Sequence, residues 1–178
     1  MDTTIIINKI KSKDNKITIT YERTRQDRDD TDKYVIESYD QAKPEFHKWM
    51  KLLRETVVEI CELPSYFADK ITITGVSYSW AMLIMGATIT AQIKLEHSDA
   101  PLCITTPHKP TESYGGNPED PNLLTATAET TLEGLIKAAT AYINGDRLIP
   151  QTDLFRDGEV NKATGEFARQ AVDDTAGA

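Results

Sequence analysis

Apolar and polar residues alternate most regularly between Lys70 and Pro110, and this stretch predicts a three-stranded meander. Ile71 and Ile73 share one face, with Thr72 and Thr74 on the other, the period of two expected of a half-buried strand. After Gly75 the phase inverts, and Val76, Tyr78 and Trp80 carry the apolar face. A glycine at a phase change predicts a β-bulge. The return strand sets Ala87, Ile89, Ala91, Ile93 and Leu95 against Thr88, Thr90, Gln92 and Lys94, so one of its sides should be wet. A third strand, Leu102 to Thr106, ends where Pro107 and Pro110 withdraw ladder donors.

Between the first two strands runs Trp80, Ala81, Met82, Leu83, Ile84, Met85, without the Gly, Asn or Asp that a hairpin connection ordinarily carries. Two readings are open. Either the segment folds beneath a neighbouring element and joins the core, or it is an exposed apolar patch that docks a partner, for which adaptable Met and flat Trp are suited. On the second reading Trp80, Met82, Leu83, Ile84 and Met85 are the partner-binding residues.

Upstream, Ile5 and Ile7, then Ile17, Ile19 and Tyr21, alternate with polar residues on either side of Lys13-Asp14-Asn15-Lys16, which predicts an N-terminal hairpin. A charged loop from Arg25 to Lys33 leads to a further strand, Tyr34 to Tyr39. Pro44 suits the first turn of a helix, and Phe46, Trp49, Met50, Leu53, Val57, Ile60 and Cys61 follow at intervals of three and four, ending before Pro64. Trp49 is read as core. The segment Thr111 to Asn122, rich in Gly, Pro and Asn, is a surface connection. A second helix is predicted from about Thr127 to Asn144, with Gly145 closing it and Gly134 marking a close approach to the sheet. The fold class is therefore α+β: an antiparallel sheet of the N-terminal hairpin, a third strand and the central meander, with two long amphipathic helices on it. Residues 1–147 form one domain, and 148–178 a polar tail that is either flexible or a docking arm.

Charge and composition narrow the function classes. Over 178 residues the formal charge is −8, which opposes general polyanion binding because phosphate affinity comes mainly from Lys and Arg. A local exception runs from Lys9 to Arg28. There Lys9, Lys11, Lys13, Lys16, Arg23, Arg25 and Arg28 outnumber Asp14, Glu22 and Asp27 by seven to three, and Tyr21 and Tyr34 lie close by in sequence. A basic sheet face with aromatic rings is the chemistry of single-strand binding, and the strand and helix order is shared with OB-folds. A solvated outer face is the plainer reading. Cys61 and Cys103 have no metal-ligand spacing and are read as reduced core thiols, and His47, His97 and His108 form no HExxH-type cluster. No cofactor or metal is expected. No apolar run reaches the ~20 residues of a membrane span, and the acidic start lacks a signal peptide's basic region, so the expectation is a cytoplasmic protein without a membrane partner.

The motifs ICELPS, ITITGVSYS, MGATITAQIKLEHSDAPLCITTPHKP and YINGDR, within residues 45 to 147, resemble a family of small uncharacterised proteins encoded among the early genes of bacteriophages and prophages. The resemblance implies a phage origin and a bacterial cytoplasm. It carries no catalytic signature.

Three function classes follow. An enzyme would need convergent activated groups, and GxSxG, HExxH, P-loop and Rossmann patterns are all missing. The nearest constellation is His97, Ser98, Asp99 and His108, with Thr105 and Thr106, around one strand end. A nucleic-acid accessory would use Lys9, Lys11, Lys13, Lys16, Tyr21, Arg23 and Arg25. The favoured class is a non-catalytic interaction protein that inhibits or sequesters a host factor, as a counter-defence protein would. Self-association through residues 80–85 or the tail fits the same features.

Overall fold

The computed structural model describes residues 3–25, 31–113, 116–117 and 119–148. Its elements in chain order are β1 (Thr3–Lys13), β2 (Lys16–Arg25), β3 (Thr31–Ser38), α1 (Pro44–Ile60), a 3-10 turn (Ser65–Lys70), β4 (Ile71–Ala81), β5 (Ile84–Ile93), β6 (Leu102–Thr105), β7 (Lys109–Pro110) and α2 (Ala126–Ile143). The strands form one sheet in the order β3-β2-β1-β4-β5-β6, with β7 added to β5, and all the pairs are antiparallel. This is an α+β fold. The sheet is open, with β3 and β6 at its edges, and does not close into the barrel of an OB-fold.

The N-terminal hairpin and the meander join through Lys9↔Ser77, Ile10↔Val76 and Lys11↔Gly75. Gly75 permits that junction, because a Cβ there would stand 3.0 Å from the Ile10 carbonyl oxygen. The ladder between β4 and β5 shifts register between Ile73 and Gly75, the bulge that the phase change predicts. A second shift, between Ile7 and Lys9, leaves Asn8 as the extra residue of β1. Both bulges restore one continuous apolar face: Ile7, Ile10, Ile17, Ile19, Ile71, Ile73, Val76, Ile89, Ala91 and Ile93 are all buried.

The two helices cover that face. In α1, Pro44 supplies the first-turn residue, and Phe46, Met50, Leu53 and Val57 are buried. The helix closes without glycine: Glu62 takes φ 51°, while Leu63 N–H donates to the Val58 carbonyl and Glu62 N–H to that of Glu59. Thr125 caps α2 by accepting from Ala128 N–H, and Gly145 ends it at φ 92°. Gly134 marks a close approach, but to α1 and not to the sheet, since a Cβ at Gly134 would lie 2.5 Å from Trp49 Cε2. Trp49 is accordingly half-buried between the helices.

The end of α2 is tied to the segment after β3. Tyr142 Oη donates to the Asp40 carbonyl at 2.8 Å, Arg147 Nη1 meets Asp40 Oδ2 at 2.5 Å, and Lys43 pairs with Asp146. The chain divides after Arg147 into two units, Met1–Arg147 and Leu148–Ala178. The tail reading, flexible or docking, lies outside the described residues from 149 onward.

Candidate functional site

The β4–β5 ladder runs unbroken to Ala81↔Ile84, so the predicted six-residue apolar segment is mostly strand, and only Met82 and Leu83 form the turn. Their φ values are 49° and 72°. A two-residue hairpin turn with both φ positive is the I′ type, for which Asn-Gly is preferred because L side chains pay for the left-handed region. The β1–β2 hairpin makes the same turn with Asp14 at φ 52° and Asn15 at φ 60°, residues suited to it. The two turns differ mainly in what they display: at the β4–β5 tip, Met82 is 91% and Leu83 97% exposed.

The five candidate tip residues divide between the two readings. Met85 faces the helices and is buried at 5% exposure, which assigns it to the core. Ile84 is half-buried. Trp80 is 42% exposed, and its indole Nε1 donates to the Ile7 carbonyl at 3.1 Å, which anchors the tip to β1. Below it the Tyr78 hydroxyl donates to the Leu132 carbonyl, and burial pushes the Tyr78 phenol far above its usual range. The tip is therefore a rigid base of Trp80, Tyr78 and Met85 carrying an apex of two bare apolar side chains.

The opposite face of the sheet carries the basic residues. After the Asn8 bulge Lys9, Lys11 and Lys13 point away from the helices and line a shallow cavity of about 240 Å³ with Thr74, Gly75, Ser77 and Thr90. Among the described residues none of the three lysines has a carboxylate partner. Lys16 lies on the same face but is paired with Glu37 at 2.5 Å, and that hydrogen bond raises its pKa. The aromatic half of the expected single-strand site is on the other side. Tyr21 is buried with the core and stacks on Tyr34 at 5.3 Å, and the Arg23 guanidinium lies over both rings. Arg25 closes β2, and its side chain lies outside the described residues.

The constellation around residues 97–108 is also separated. His97, Ser98 and Asp99 line a 370 Å³ cavity after β5, whereas His108 stands beside Gly86 at the far end of that strand, about eight residues or ~26 Å away. What His108 does meet is Ser79, with Oγ to Nε2 at 2.6 Å. Gly86 makes room for the pair, since a Cβ there would fall 2.4 Å from His108 Nε2. A hydroxyl on an imidazole is the start of a nucleophile-base pair, yet among the described residues no carboxylate orients the second ring nitrogen. Ser79 had no sequence signal, because its partner is far along the chain.

Glu59, Glu62, Glu119 and Asp120 line a 620 Å³ cavity between the end of α1 and the start of α2, where Lys109 donates to the Pro121 carbonyl. Cys103 is exposed on β6, against its reading as a core thiol, whereas Cys61 is half-buried and packs against the core, with its thiol pushed up by burial. Among the described residues no three His, Cys, Asp or Glu side chains converge as a metal site, and no helix is long and apolar enough to cross a membrane.

No family model, curated protein or solved structure matches the chain.

Proposed function

We propose that this chain is a non-catalytic docking protein whose β4–β5 hairpin tip enters an apolar pocket of a bacterial host protein, which it inhibits or sequesters. The observation that carries the proposal is the apex Met82–Leu83. Both side chains stand almost wholly in water, and both backbones occupy the left-handed region. Asn-Gly would remove the exposed surface and the strain together, as Asp14-Asn15 largely does at the other hairpin. A large apolar group on a rigid, strand-anchored tip is the form that interface anchors take, and Met adapts readily to a partner's pocket. A phage origin, which the resemblance of motifs within residues 45–147 implies, would make the partner a host factor, although the tip itself lies outside that resemblance; inhibition of a host defence, modulation of host replication and capture of a nucleotide signal are all open to such a protein.

Affinity capture from nuclease-treated bacterial lysate tests this reading. One dominant host protein should be retained by the wild type and lost with Met82→Ser/Leu83→Ser. Equal capture by both would remove the tip from the account.

A second reading, single-stranded nucleic-acid binding, is favoured by one observation: Lys9, Lys11 and Lys13 share an open face with no acidic partner among the described residues. Steeply salt-dependent binding of single-stranded DNA, lost in a Lys9→Glu/Lys11→Glu/Lys13→Glu variant, would raise it to first place. The inward placement of Tyr21 and the net charge of −8 weigh against it.

A further inference from the structure

β3 is a terminal strand of the sheet, eight residues long and without proline or glycine. Such an edge presents backbone N–H and C=O groups to any extended chain, and proteins usually blunt it by shortness, proline, a bulge or a cover. The opposite edge follows that rule, since β6 has four residues and lies between Pro101 and Pro107. Among the described residues β3 has none of these four devices, only the charges of Asp32, Lys33 and Glu37: its register with β2 is unbroken from Ile17↔Ser38 to Thr24↔Thr31, and Val35 stands 62% exposed.

We propose that β3 is a self-recognition edge, and that two copies of this chain join their sheets antiparallel about a two-fold axis at Val35. Directly opposite residues of an antiparallel pair point to the same side of the sheet. With the axis at Val35, Lys33 faces Glu37 of the second copy, Glu37 faces its Lys33, and Val35 meets Val35. On the helix side Tyr34 meets Ile36. Moving the axis to Tyr34 sets Asp32 against Ile36 and Lys33 against Val35. Moving it to Ile36 sets Val35 against Glu37 and Tyr34 against Ser38. Only the Val35-centred register matches charge with opposite charge and apolar with apolar.

The neighbouring strand extends the match. Within one chain Lys33 Nζ lies 3.5 Å from Glu22, and Lys16 Nζ lies 2.5 Å from Glu37. Across the seam the open face would read Lys16, Glu37, then Lys33 and Glu22 of the second copy, an alternating row of four charges. The Lys33 and Glu37 side chains keep 79% and 54% of their surface exposed beside these intrachain partners, which leaves each a face toward the seam.

Sedimentation velocity of the full chain from about 10 µM to about 1 mM covers the range in which a small interface is populated. It should reveal a dimer of the 19.9 kDa chain. Glu37→Lys sets lysine against Lys33 and should weaken the dimer about tenfold, as should Lys33→Glu. The double variant Lys33→Glu/Glu37→Lys should recover it. That rescue cannot arise within the monomer, where the double variant breaks both intrachain pairs. Circular dichroism checks each fold. Independently, Val35→Cys in a Cys103→Ser background should form a covalent dimer on mild oxidation, and Lys33→Cys in that background should not. A wild type monomeric at about 1 mM, a folded double variant without rescue, or a dimer lost with Met82→Ser but not with Glu37→Lys would each overturn the proposal.

Discussion

Replacing Met82-Leu83 by Asn-Gly separates what the hairpin apex costs from what it does. An L residue in the left-handed region costs about 1–2 kcal/mol, and two such residues stand at φ 49° and 72°. Glycine relieves that cost at one position but gives back about 0.5–1 kcal/mol of backbone entropy, while asparagine relieves part of it at the other. Almost no buried surface is lost, because both side chains are more than nine-tenths exposed. The net expectation is a gain of about 1–2 kcal/mol, or a rise of roughly 3–8 °C in melting temperature for a domain of this size. Thermal unfolding followed by circular dichroism measures it, and lysate capture with the same protein should fail. An unchanged or lower melting temperature would refute the strain argument, and retained capture would refute the docking argument. Serine at all of Trp80, Met82, Leu83 and Met85 is a poorer test, since Met85 is core and Trp80 holds the Ile7 carbonyl.

Gly134→Ala gains helix propensity but drives a Cβ to 2.5 Å from the Trp49 ring, and calorimetry should show a net loss of about 1–3 kcal/mol together with altered Trp fluorescence. The Arg147 hydrogen bond, helped by Ser38, holds the Asp40 carboxyl below its usual range, so its contribution to stability is full above the ordinary carboxylate value and disappears as pH falls through the lowered one. An NMR titration should find Asp40 raised toward the ordinary range in Arg147→Ala, with the Ser38 contribution remaining. Thiol labelling should modify the exposed Cys103 quickly, and the half-buried Cys61, whose pKa burial raises, slowly. Equal rates would contradict the placement of the two residues.

Much of the fold was legible because local pattern and long-range packing agree. The flip of apolar phase at Gly75 located the β4 bulge, and the spacing from Phe46 to Val57 located α1 to within a turn. The Asn8 bulge was hidden, because the consecutive Ile5, Ile6 and Ile7 leave no visible phase to invert. The tip misled as a loop because its turn residues have the wrong chemistry for the turn they make, and strand pairing up to Ala81↔Ile84 imposes it on them. The alternation of Tyr21 with Ile17 and Ile19 sets it opposite Lys16, but Lys9, Lys11 and Lys13 share odd positions with Ile5 and Ile7, and only the hidden Asn8 bulge turns them to the other face. The Ser79–His108 contact was not readable, since it joins residues 29 apart through a strand register that no local signal reports.

The central claim is that the apex of the β4–β5 hairpin touches a partner, and site-specific photo-crosslinking tests it most directly. A benzoyl-phenylalanine at position 83, irradiated in bacterial cells, should give one dominant adduct that the same probe at Lys137, exposed on α2, does not give. Identical adducts from both positions, or none from position 83 while the protein remains folded, would contradict the account.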